Sequence, residues 1–257
     1  HHRVVNTILL YAKQKNLTNL VADQIYEKEL SSSLMIDILS HIVEFRNGES
    51  GLHVRHVNLL TELFLQHLSQ HTEEYRFSRS EISLISTASA LHDIGKIAID
   101  EAILNKPGRL TNEEFEVMKT HSVIGAQMLR DLPIHQEEPL VKVAYEICRW
   151  HHERYDGRGY PDGLVGNEIP ISAQIVALAD VYDALTSERV YKPAFSHQKA
   201  VEMILDGQCG VFNPLLMDCL RDLAGSIPME LRNDSPARAQ QREMRNIAEE
   251  LLRHKEL

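Results

Sequence analysis

Apolar residues recur at three- and four-residue spacing along almost the whole chain, and nothing else in it narrows the fold as far. Val57, Leu60 and Phe64 form one such stripe, Leu140, Ala144 and Ile147 another, and Met118 with Met128 lies on a third. Runs alternating at period two are scarce, and aromatic residues are only 6% of the chain, so few segments suit a strand. The spacing predicts an all-α protein. Helices are expected within 4–45, then near 50–71, 80–91, 112–132, 139–152, 171–187, 196–206 and 213–225, with a charged helix at 235–254. Local chemistry marks their ends. Asn47-Gly48 and Lys106-Pro107-Gly108 are turns, Ser78 or Ser80 can cap a helix, and Thr111 to Glu114 is a capping box. Pro139 opens a helix. Residues 154–170 hold four of the 12 glycines and two prolines, which predicts a structured loop.

This divides the chain into a connector of one or two helices at 1–40, a body at 41–226 and a charged helical tail at 227–257. Gln24, Lys28 and Ser31 interrupt the apolar seam of the first segment, so a long coiled coil is not secured. That segment reads equally well as a link to an upstream domain or as a helix packed on the body. The net charge of −10 argues against a protein that coats DNA by charge. Three cysteines without a C-x-x-C pair argue against a disulfide framework or a cysteine zinc site. No apolar run exceeds about five residues, far short of the ~20 that span a bilayer. With no signal peptide at the start, the expected compartment is the cytoplasm. The opening His1-His2 could be the scar of a purification tag.

Fourteen histidines raise the question of metal. Glu49 and His53 are four apart, and His53 heads the stripe of Val57 and Leu60. His92, with Asp93 beside it, continues the stripe of Ala88. His121 shares a face with Met118 and Gly125, His151 with Ala144 and Ile147, and His152 follows it. Asp180 lies on the face of Val176 and Asp183. Each of these groups points where an apolar face points. Burying them is costly unless they are paired or coordinate something. A single buried histidine is usually a hydrogen-bonded core group. Five histidines and three carboxylates on five helices are satisfied together by a shared metal cluster. Imidazole and carboxylate without thiolate suit iron, manganese or zinc, and so many ligands suit two or three octahedral ions rather than one tetrahedral zinc. Such a cluster activates water and clamps a phosphoryl oxygen, which points to phosphate-ester hydrolysis.

The string His92-Asp93-Ile94-Gly95-Lys96 resembles the signature of the HD phosphohydrolase superfamily. The longer string His151-His152-Glu153-Arg154-Tyr155-Asp156-Gly157-Arg158-Gly159-Tyr160-Pro161, followed by Asp180-Val181-Tyr182-Asp183-Ala184-Leu185-Thr186, closely resembles the HD-GYP subfamily over about residues 41–225. The resemblance implies a helical bundle of the HD type with an N-terminal connector helix. It implies hydrolysis of the bacterial messenger cyclic di-GMP to pGpG and onward to GMP, through a metal-activated hydroxide. Glu49, His53, His92, Asp93, His121, His151, His152 and Asp180 match the family's metal ligands. Two or three divalent ions, iron or manganese, are implied, and the presence of Glu49 favours three. Lys96 would meet a phosphate oxygen, and His92, Asp93 and Lys96 are the catalytic set. Tyr160, Arg189 and Lys192 match substrate-binding positions, and Asp183 would orient a ligand from behind. Asn213 stands where many relatives carry aspartate, and it keeps the capping geometry while losing a charge.

The implied partners are cyclic di-GMP, a receiver domain upstream as in response regulators, and a second copy docked through residues 4–45. Two other readings remain open: a cyclic dinucleotide sensor with little turnover, and a hydrolase of a related cyclic dinucleotide such as cyclic GMP-AMP. A hydrolase of another nucleotide, such as (p)ppGpp, is argued against by the intact Gly-Tyr-Pro segment. His41, His56, His67, His71, His135, His197 and His254 read as ordinary surface or core groups, Trp150 as core, and the C-terminal helix as solvated.

Overall fold

The computed structural model describes residues 13–15, 20, 24, 31, 34–47, 52–132, 137–188 and 194–234. Among them there is no β-strand, only an isolated bridge between Asp156 and Val165. The helices are α1 (34–46), α2 (His53–His71), α3 (Arg79–Ser89), α4 (Glu101–Leu104), α5 (Asn112–Arg130), α6 (Pro139–Trp150), α7 (Ile171–Thr186), α8 (His197–Leu205), α9 (Pro214–Leu223) and α10 (Ile227–Asn233). Short 3-10 turns occupy Ile94–Ala98 and Gly166–Glu168. No described helix is long and apolar enough to cross a membrane.

The helix starts follow from local chemistry. Ser78 and Glu81 close a capping box on α3, and Thr111 and Glu114 close one on α5. Pro139 sits in the first turn of α6, where its missing N–H costs nothing. Asn213 caps α9 by accepting from the Leu215 N–H at 2.9 Å. Its amide also donates to Gln174 Oε1 at 3.0 Å, while Gln174 Nε2 donates to the Ile169 carbonyl at 2.7 Å. Asparagine here therefore supplies a donor that a carboxylate would lack. The start of α2 carries no cap of its own, and the buried carboxylate of Glu44 on α1 accepts the Val54 N–H at 2.7 Å instead.

Helix α7 is the centre of the body. It is buried nearly all round, including Ile175, Val176, Leu178, Ala179 and Tyr182, as expected of a helix packed on several sides. Helices α2, α6 and α8 lie against it, α3 bridges α2 and α6, and α5 covers α6. Phe64, Leu65 and Leu68 from α2 and Ile147 from α6 complete the core, and truncating Phe64 to alanine is expected to cost about 3–5 kcal/mol. The Tyr182 hydroxyl is satisfied at His197 Nδ1, 2.6 Å away.

At the two ends, described parts of the connector and tail join this body. Ile36 of α1 is buried in the core, and Ser40 Oγ donates to the Ala90 carbonyl at 2.8 Å. Ile227 of α10 is fully buried and Arg55 pairs with Asp234 at 3.0 Å. Pro228, just past the expected end of the body at 226, lies within the first turn of α10.

Candidate metal centre

Five segments converge on one point. His53 is the first residue of α2, His92 and Asp93 follow α3, and Lys96 lies on the 3-10 turn at Ile94–Ala98. His121 comes from the middle of α5, His151 and His152 from the end of α6, and Asp180 from α7. Glycine sets the approach of the 3-10 turn to α5. A Cβ on Gly95 would lie 1.9 Å from the His121 carbonyl oxygen and 2.5 Å from the Gly125 nitrogen. The far side of the turn is gripped by Arg46 of α1, whose guanidinium donates to the carbonyls of Lys96 (2.9 Å), Ile97 and Ile99 (2.7 Å). A cavity between α1 and the centre is lined by Ser40, Glu44, Asn47, His53, His92 and Asp93 among others, so α1 forms one wall of it.

The histidines are oriented by the backbone. Nδ1 of His92 donates to the Ser89 carbonyl at 2.8 Å, that of His121 to Met118 at 2.7 Å, and that of His151 to Ile147 at 2.9 Å. This leaves each Nε2 facing inward. His121 Nε2 lies 3.3 Å and His151 Nε2 3.9 Å from Asp93 Oδ1, and the two Nε2 atoms are 3.5 Å apart. Two bare imidazole nitrogens and a carboxylate oxygen cannot hydrogen-bond one another. His92 Nε2 and Asp93 Oδ1 are buried without a hydrogen bond. A cation satisfies all of these atoms at once, so the donor set fits metal.

The ligand atoms fall into two groups, each within 4.8 Å internally. Asp93, His121, His151 and His152 form one, and His53, His92 and Asp93 the other. Asp93 belongs to both, as a carboxylate bridging two ions would. Asp180 flanks the second group, with Oδ1 3.6 Å from His53 Nε2. Behind His53, Asp183 Oδ2 accepts from Nδ1 at 2.7 Å.

The electrostatics favour the ligand-ready state at His121, His151, His152 and Asp93, and oppose it at His92. Burial, with the neighbouring His92, pushes His151 down to about 3, and burial and His151 hold His152 well below its usual value. Burial lowers His121 too. Burial also pulls on His92, but the Asp93 carboxylate outweighs it and holds His92 above its usual value. Burial opposes ionisation of Asp93, yet the charges of Lys96 and His92 keep it well below the carboxylate range. Lys96 Nζ meets Asp93 Oδ2 at 2.6 Å.

The loop after His152 forms the rim. Tyr160 lies 4.8 Å from the His152 ring, with Lys119 Nζ 5.5 Å from its centroid, and the Tyr160–Pro161 bond is cis. Burial raises its phenol pKa. The sequence reading passed over the residue that holds this loop. Glu153 is buried, and its carboxylate accepts the N–H groups of Asp162 (2.7 Å), Gly163 (3.0 Å) and Leu164 (3.1 Å). Its place directly after the two histidines, ahead of the glycines, was the available signal. Gly159 must be glycine, because a Cβ would fall 2.3 Å from the Arg154 nitrogen. Trp150, read as core, is half-buried and donates its indole N–H to Asp162 at 2.7 Å, where Arg149 also binds. His56, read as ordinary, lies against Asp183. Glu49, Arg189 and Lys192 lie outside the described residues, as do His135 and His254.

The HD domain family matches residues 33–210, and the chain belongs to that family. It is 40% identical over 212 residues to a cyclic di-GMP phosphodiesterase of Vibrio cholerae, covering 79% of this chain and 42% of that protein. It is 39% identical over 182 residues to the cyclic di-GMP phosphodiesterase response regulator RpfG of Xanthomonas campestris, covering 71% and 45%. The chain thus spans less than half the length of these two relatives. A solved cyclic GMP-AMP specific phosphodiesterase of V. cholerae shares the fold, with TM-score 0.58, 20% identity, and coverage of 83% of this chain and 53% of that one.

Proposed function

We propose that this chain is a metal-dependent phosphodiesterase that hydrolyses cyclic di-GMP to pGpG, with GMP as a further product. The observation that carries the reading is the pair of ligand groups sharing Asp93. It is supported by the activity for which the two relatives near 40% identity are named.

In this reading His121, His151 and His152 would hold one ion and His53 and His92, with Asp180 beside them, the other, and Asp93 would serve both. Glu49 would add a ligand for a third ion, and iron or manganese would suit the donor set. Divalent ions so held supply a water of lowered pKa and positive charge for a phosphoryl oxygen. The residues do the rest. The carbonyls of Ser89, Met118 and Ile147 fix the histidine tautomers, and Asp183 does the same for His53. The Lys96 ammonium, which holds Asp93, would also meet a phosphate oxygen and offset the charge that develops on it. Tyr160 walls the substrate, and Arg189 and Lys192 bind its phosphates or guanine edges. The catalytic body spans residues 41–226. A receiver domain upstream tunes it, residues 4–45 pair with a second copy, and the protein works in the cytoplasm.

The test is an anaerobic assay of protein reconstituted with Fe(II) or Mn(II), given cyclic di-GMP or cyclic GMP-AMP, with products separated by chromatography. Formation of pGpG or GMP, abolished in His92→Ala/Asp93→Ala, is the expected result. Turnover of cyclic GMP-AMP alone would move the substrate. Binding of cyclic di-GMP without product under either metal would overturn the enzyme reading in favour of a sensor.

A further inference from the structure

We infer that His56 is a positioning residue of the metal centre, acting on His53 through Asp183. The inference rests on the metal reading of the site. His53 and His56 are three apart on α2 and share the face that packs on α7. There the buried Asp183 carboxylate lies between them, with Oδ2 2.7 Å from His53 Nδ1 and Oδ1 2.6 Å from His56 Nδ1. Ser187 Oγ adds a donor to Oδ1 at 3.0 Å.

A carboxylate held at one oxygen can rotate about its last bond, and the ring it holds swings with it. Held at both oxygens, it is fixed in plane. The Nδ1–H of His53 is then fixed, and its Nε2 is aimed at the group it forms with His92 and Asp93. Without the His56 donor, Oδ1 keeps only the Ser187 hydroxyl, which turns freely. The aim of His53 loosens, and the ion it shares with His92 is held less tightly. The ring of His56 is mostly buried and belongs to neither ligand group, so its effect passes through Asp183.

The experiment is a titration with Mn(II) alone, with the free ion read by electron paramagnetic resonance and folding checked by thermal melting. The wild-type chain is compared with His56→Leu, which fills the space without a donor, and His56→Asn, whose amide nitrogen overlays Nδ1. His56→Gln, whose amide reaches the Nε2 position instead, replaces the leucine variant should that one not fold. Loss of the donor is expected to weaken one class of Mn(II) site roughly tenfold, and asparagine to restore it to within about threefold. In an Asp183→Asn background the leucine change is expected to add nothing. A folded donor-less variant that binds Mn(II) like the wild type overturns the inference. So does equal weakening by asparagine and leucine, which would mark a packing role. A wild-type chain that binds no Mn(II) overturns the metal reading itself and is distinguishable from both.

Discussion

Replacing Gly95 by alanine tests whether the 3-10 turn has to press on α5 for the centre to form. The added Cβ would sit 1.9 Å from the His121 carbonyl oxygen, with the Gly125 nitrogen 2.5 Å away. Both are backbone atoms inside a helix, so no side chain can swing aside. Ordinary contact begins near 3.4 Å, so the turn and the helix must part by about 1.5 Å. The strain is expected at the upper end of overpacking, about 3 kcal/mol. For a chain of this size that lowers Tm by roughly 6–12 °C. The displacement also draws Asp93 away from His121, now 3.3 Å apart, and a misplacement near 1 Å can cost a hundredfold in a reaction. Gly225, where an added Cβ meets nothing within 4 Å, is the control. The assay pairs a thermal melt with an Mn(II) titration. A Gly95→Ala protein that melts within a degree or so of the control and binds Mn(II) as tightly would refute the reasoning.

Glu153→Gln keeps one oxygen but turns an amide toward the N–H groups of the loop, and is expected to speed hydrogen exchange at residues 162–164; unchanged protection would count against a holding role. Asn213→Asp sets a carboxylate oxygen against Gln174 Oε1 and is expected to cost about 1–3 kcal/mol, read as a lower Tm; a neutral result would show that the pair is not mutually fixed. His92 is held above its usual value by Asp93, so in the metal-free protein it keeps a proton to higher pH, and that proton must leave when metal binds. Mn(II) affinity is therefore expected to fall about tenfold per unit as pH drops below the His92 pKa, and to level off above it. His151, down to about 3, adds no proton competition in that range. Titrations at several pH values that gave one affinity throughout would contradict this.

Much of the architecture was readable because its determinants are local. The stripes of α2, α5, α6 and α7, the capping boxes at Ser78 and Thr111 and the proline at 139 depend on residues a turn or two apart. The 3-10 turn at Ile94–Ala98 was not readable in this way, because it depends on Gly95 lying against α5 and on Arg46 reaching across from α1. Helix α10 falls between the helices expected at 213–225 and 235–254, because a proline reads locally as a helix stop, whereas Pro228 occupies a first turn that buries Ile227. At the site, the inward-facing histidines could be placed on their helix faces one by one. What joins them could not: His56 is ordinary in its own stretch, and its partner Asp183 is 127 positions away. The resemblance carried the assembly of the cluster, and the helix faces showed that it was physically reasonable.

The most direct test of the central claim is a crystal of the Mn(II)-loaded protein measured for anomalous scattering at the manganese edge. The expected map holds peaks on both sides of Asp93, one within reach of His121, His151 and His152, the other within reach of His53 and His92. A map with no peak at Asp93, from protein that retains its fold, would contradict the claim.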